Sequence, residues 1–165
     1  MHTHTSDLLR FLDASPCNFW AAKNLSDRLS AAGFQPLDMR DKWNLRAGGR
    51  YFVTKNDSAV FAFAVGSDPL AGSHIVCAHS DSPGFRIKPN AEMPSAGNML
   101  RLNTEVYGGP ILYTWFDRPL SIAGRVMLES DDPMQPEMRL VKFNRPLLTI
   151  PHLAIHYNRS VNDGN

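Results

Sequence analysis

The chain has 165 residues, of which 43% are hydrophobic and 20% charged, with 17 basic and 16 acidic side chains for a formal net charge of +1. That length supports one medium core, and the balance belongs to a folded protein rather than a disordered one. Near-neutral charge excludes a nucleic-acid or anionic-membrane binder driven by bulk electrostatics, and no apolar run approaches the ~20 residues that span a bilayer.

The amino terminus, MHTHTSDLLRFLDASP, lacks the basic start and long apolar stretch of a signal peptide. Asp7, Arg10 and Asp13 interrupt it, and the expected compartment is the cytoplasm. Cys17 and Cys77 are far apart and neither has a Cys-x-x-Cys partner, so both read as reduced structural thiols.

The first forty residues read as helical. Ser6 is a candidate N-cap for DLLRFLDAS. Pro16 favours a fresh start, and Phe19, Ala22, Leu25, Leu29 and Ala32 then recur on one apolar face, closed by Gly33. GRYFVTKN and SAVFAFAVG, separated at Asn56-Asp57, predict paired strands, the second covered on both faces. SHIVCAH predicts a third, buried strand that delivers His79 at its tip, with Ser82-Pro83-Gly84 turning the chain away. Ligands and catalytic groups commonly sit at such carboxyl ends.

After Pro89 the texture changes. NAEMPSAGN predicts a loop, and MLRLNTEVYGG, LSIAGRVMLES and EMRLVKF predict twisted antiparallel strands with turns at Gly108-Gly109 and around DDPMQP. A domain boundary is expected near residue 90. In the tail, Pro151 is placed to open a helix.

Three constellations could carry chemistry. His79 and Asp81 stand two apart, which on extended chain puts both side chains on one side. A metal-bound imidazole needs its second ring nitrogen held, often by a carboxylate. The bland reading is a hydrogen-bonded pair. His152 and His156 have the i, i+4 spacing of a helical zinc motif. Leu153, Ala154 and Ile155 lie between them, so the Glu base of that motif is absent and one core and one exposed His is the plainer reading. Trp115, Phe116, Asp117 and Arg118 combine aromatics with a structural Asp-Arg pair, or with a subunit interface. No phosphate-binding Gly-rich loop or nucleophile elbow is present.

Taken together, AHSDSPGFRIKP, VYGGPILYTWFDRPLSIAGRV and IPHLAIHYNR, in this order, resemble the M18 metallopeptidases, the aspartyl aminopeptidases. The likeness extends over essentially the whole chain. It implies an α/β, zinc-aminopeptidase-type mixed sheet with flanking helices, of which residues 1–89 are the amino-terminal part. Residues 90–165 would begin an inserted β-rich dimerisation domain. By the resemblance, His79 matches the first zinc ligand. Asp81 matches the catalytic Asp beside it, which is not a ligand. His156 matches a substrate-contacting His that reaches a neighbouring subunit's active site.

The family uses two zinc ions per active site and cleaves peptides with an unblocked N-terminal Asp or Glu. It assembles as dimer-based closed homo-oligomers, commonly dodecamers. Ser80 and Gly84 depart from the family's frequent Thr and Cys. The family's remaining zinc ligands lie past the equivalent of Asn165, so the chain alone is expected to be inactive. One alternative is a non-catalytic module that associates with a full-length homologue. Another is a mononuclear site of His79, Asp81 and a His of the tail.

Overall fold

A computed structural model describes residues 3–68 and 72–163. By backbone proximity the chain divides into two units, Met1–Ser82 with Ala123–Lys142, and Pro83–Ile122 with Phe143–Asn165.

The first unit opens with α1 (Thr3–Ala14) and α2 (Asn18–Ala31). Ser6, expected as an N-cap, lies inside α1, because the helix already runs through His4 and Thr5. The expected end of α2 is present in full. Gly33 adopts φ 82°, its N–H donates to Ser30 O at 3.0 Å, and Phe34 N–H donates to Leu29 O at 3.0 Å. These are the two bonds of a Schellman ending, and the left-handed residue is most cheaply Gly. The helices are joined by a bidentate Arg28–Asp7 pair at 2.9 and 3.1 Å. The Asn24 amide adds bonds to Ala14 O and Ser15 Oγ.

Three strands follow: β1 (Gln35–Pro36), β2 (Arg50–Lys55) and β3 (Ala59–Ala64), in the order β1-β2-β3. β2 pairs antiparallel with β3 through a turn in which Asn56 and Asp57 have φ 52° and 54°. Positive φ at both central residues is what a type I′ hairpin demands, and Asn and Asp tolerate it. Tyr51, Phe52 and Val53 are buried in succession, so this central strand is covered on both faces. On one side α2 supplies the buried Ala21 and Ala22. On the other, Phe63 stacks with Tyr51 at 5.7 Å and Trp43 at 6.2 Å. The double cover expected for β3 is not found: Phe61 stays 60% exposed. The Phe61 ring lies 5.5 Å from that of Phe63.

The hairpin of β6 (Ala123–Leu128) and β7 (Glu137–Lys142) also belongs to this unit, and its strands are antiparallel as predicted. Trp20 Nε1–H donates to Val141 O at 3.0 Å. Arg125 lies 4.4 Å over the Phe19 ring and donates to Asn56 O at 2.8 Å.

The second unit contains β4 (Gly84–Met93) paired antiparallel with β5 (Arg101–Tyr107). Here the sequence misled. Residues 90–93 of the predicted loop, and Gly84 of the predicted turn, belong to this strand. The register shifts between Ile87 and Glu92, and Asn90 has φ 58°. A bulge of that kind lets Pro89 sit inside a strand without breaking its ladder. A 3-10 turn follows at Leu112–Trp115. Isolated bridges join Phe116 to Ile150 and Leu120 to Leu148.

Candidate metal-ligand site

Residues 72–83 carry no strand pairing. The predicted SHIVCAH strand is therefore not formed, and Ile75 and Val76 are 77% and 97% exposed. A strand exists through its partner, and no described segment pairs with this one. One tether is present near its end: Ser80 Oγ–H donates to Ser58 O at 3.0 Å.

His79 and Asp81 do come together. His79 Nδ1 lies 2.7 Å from Asp81 O and 3.2 Å from Asp81 Oδ1. A carbonyl and an ionised carboxylate can only accept, so Nδ1 carries the proton. That tautomer leaves the Nε2 lone pair free to bind a cation, as a ligand imidazole requires. The His79 side chain is 80% exposed and that of Asp81 39%. Among the described residues, no group of three or more His, Cys, Asp or Glu is arranged to hold a metal ion. A zinc centre needs three or four protein ligands. These residues make one oriented ligand, not a complete zinc site.

His156 belongs to the second unit. The helix expected after Pro151 does not form. The segment turns instead, with Tyr157 N–H donating to Ala154 O at 2.8 Å. His152 and His156 therefore do not share a helical face. The His152 ring packs 5.2 Å from Phe116 and 5.8 Å from Tyr113, and its Nδ1–H donates to Leu153 O at 2.8 Å. His156 is exposed. His156 is exposed as the plainer reading expects, but His152 is half-buried against two rings rather than placed in a core.

The predicted Asp117-Arg118 pair resolves differently. The Arg118 guanidinium donates to Thr114 O at 3.1 Å. Asp117 Oδ1 accepts His152 N–H at 3.0 Å, and Asp117 itself has φ 52°. Reading the two charges as partners hid this contact. The available signal was Asp before a charged turn, a residue that accepts left-handed backbone and bonds nearby amides. Glycines shape the same unit. A Cβ on Gly84 would meet the Trp115 ring at 3.2 Å, tighter than ordinary contact, which suits Gly there.

The profile described as "Aminopeptidase I zinc metalloprotease (M18)" matches residues 11–165. The chain belongs to the M18 peptidase family. A probable M18 family aminopeptidase 2 from Clostridium novyi is 50% identical over 161 residues, covering 96% of this chain and 37% of the relative. Among solved structures, a chain in the Ape4 and Nbr1 complex aligns with TM-score 0.87 and 43% identity, covering 95% of this chain and 30% of that one. The S. cerevisiae mApe1 dodecamer aligns with TM-score 0.76 at 22% identity, covering 93% of this chain and 36% of that one, a likeness of fold alone. The M18 chain described here thus spans about a third of its relatives' length, as an amino-terminal portion of the family's mixed α/β fold.

Proposed function

We propose that this chain is part of a zinc-dependent aminopeptidase that removes N-terminal residues, preferentially Asp or Glu, from peptides. The single observation that carries the reading is the His79 ring, held at Nδ1 by Asp81 with Nε2 exposed, in a chain of the M18 family. In this reading His79 is a ligand to one of two zinc ions. Asp81 is the catalytic carboxylate, holding the Nδ1 proton so that Nε2 faces the cation. The other ligands come from outside the described residues, and the 165-residue chain by itself binds zinc weakly and hydrolyses little.

His156 contacts substrate across a subunit boundary, in a dimer-based homo-oligomer of up to twelve copies. Residues 1–89 then belong to the peptidase domain, and 90–165 begin the inserted β-rich domain. Among the described residues no helix is long and apolar enough to cross a membrane. We place the enzyme in the cytoplasm, acting on peptides rather than on nucleic acid or membrane.

The deciding experiment is zinc-dependent release of Asp from an aspartyl chromogenic substrate by the full-length gene product. Release that chelation abolishes and zinc restores is expected. No release from acidic or neutral peptide substrates would overturn the reading. Inactivity with stable co-purification of a longer homologue would instead favour a non-catalytic module.

A further inference from the structure

We propose that Asp117 is a positioning residue for His156, an inference that rests on the reading of His156 as a substrate contact. Asp117 is held at φ 52°, a left-handed backbone that few non-Gly residues adopt. Strain of this kind persists only where the surroundings over-determine it. Here they do so on both sides of one proline. Asp117 N–H donates to Ile150 O at 2.9 Å, and Asp117 Oδ1 accepts His152 N–H at 3.0 Å. Pro151 between them has a fixed φ and no N–H of its own.

Other contacts of the second unit tighten the same point. A parallel bridge joins Phe116 to Ile150, and the His152 ring closes against Phe116 and Tyr113. Two further bonds brace the run that carries His156. Leu153 O accepts His152 Nδ1–H at 2.8 Å, and Ala154 O accepts Tyr157 N–H at 2.8 Å. The position of His156 is therefore set from Asp117 through a run of five residues, with no core packing of its own. Asp117 is exposed, so losing its side chain removes the clamp without emptying a core.

The test compares Asp117→Gly with Asp117→Asn in the full-length protein. The Gly variant keeps the left-handed backbone and loses the acceptor. The Asn variant keeps an acceptor oxygen and tolerates the same φ. Amide exchange is followed across residues 152–158, with residues 50–64 as internal reference. KM and kcat are measured on the same preparations with an aspartyl peptide.

For Asp117→Gly, exchange in 152–158 should speed up about tenfold with the reference unchanged, as expected for one lost hydrogen bond that gates local opening. KM should rise about fivefold, with a smaller change in kcat, since the loss is of substrate contact. Asp117→Asn should restore most of both. Unchanged exchange in the Gly variant overturns the proposal. So does faster exchange with unchanged KM, and so does an Asn variant as defective as the Gly one. If the unsubstituted full-length protein cleaves no peptide, the functional reading fails by itself, and the exchange arm still decides whether Asp117 clamps the segment.

Discussion

Asp81 reaches the Nδ1 proton of His79 with two oxygens, and the nearer is the backbone carbonyl at 2.7 Å rather than the carboxylate at 3.2 Å. The ring's tautomer is therefore held partly by main chain, which no side-chain substitution removes. In the full-length enzyme, Asp81→Ala should leave His79 protonated at Nδ1, visible in its 15N chemical shifts. It should lower zinc affinity by about tenfold, the small end of the usual range for an outer-shell partner. His79→Ala should abolish zinc-dependent peptidase activity, whereas in the metal-free 165-residue chain it should change stability by less than about 0.5 kcal/mol, because the ring is exposed there. A ring that switches tautomer in Asp81→Ala would show that the carboxylate alone sets it.

Gly33 ends α2 at φ 82°, with open space where a side chain would point. Sterics with neighbours therefore contribute nothing, and only backbone strain is at stake. Gly33→Ala should cost about 1–2 kcal/mol, the penalty for an L-residue in left-handed backbone. Gly33→Asn should cost less than Ala. Urea midpoints of the three proteins decide this, and an Ala variant as stable as the parent would refute the assignment of the strain.

Three of the sequence expectations succeeded because their signals were local. Gly33 and the Asn56-Asp57 turn each state a backbone requirement within a few residues, and the β6–β7 alternation needs only its own hairpin partner. The failures share the opposite cause. SHIVCAH has the composition of a buried strand, but composition does not supply a partner. NAEMPSAGN has the composition of a loop, yet its first residues extend β4 past a bulge. The His152–His156 spacing suggested a helix, yet Asp117, thirty-five residues earlier, captures the His152 amide. At the candidate site, the His79–Asp81 pairing was legible. The shorter bond to the Asp81 carbonyl was not, since it depends on how the chain turns.

The Arg40 side chain, followed by the Arg40 backbone N–H, holds the Asp38 carboxyl down to about 2. The folded value is depressed below the ordinary ~3.9 of an unfolded Asp. The pairing therefore contributes fully above about pH 4 and is lost as pH falls through about 2. The same turn holds Trp43, whose Nε1–H donates to Asp38 O at 2.7 Å. Between pH 4 and pH 2, Trp43 fluorescence should change along with the Asp38 carboxyl resonance. Arg40→Ala should move that midpoint upward, and an unmoved midpoint would remove Arg40 as the cause.

Ile75 and Val76 lie in an unpaired stretch at 77% and 97% exposure, with Phe61 at 60% in the same unit. Apolar residues on unpaired extended chain favour association. The purified 165-residue chain should scatter light as a concentration-dependent oligomer and bind an apolar dye. Val76→Lys should reduce both signals. A monodisperse monomer with a sharp cooperative melt would contradict this.

The indole of Trp20 finds its acceptor on Val141, 121 positions later in the chain. That separation has a meaning for biosynthesis. Closing so long a loop is slow relative to forming α1, α2 and the first hairpin, because non-local contacts are reached only after the entropy of closure is spent. As the polypeptide emerges from the ribosome, the early helices must wait, with one flank bare, for a hairpin that lies far along the chain. That interval is when a chaperone has most to shield.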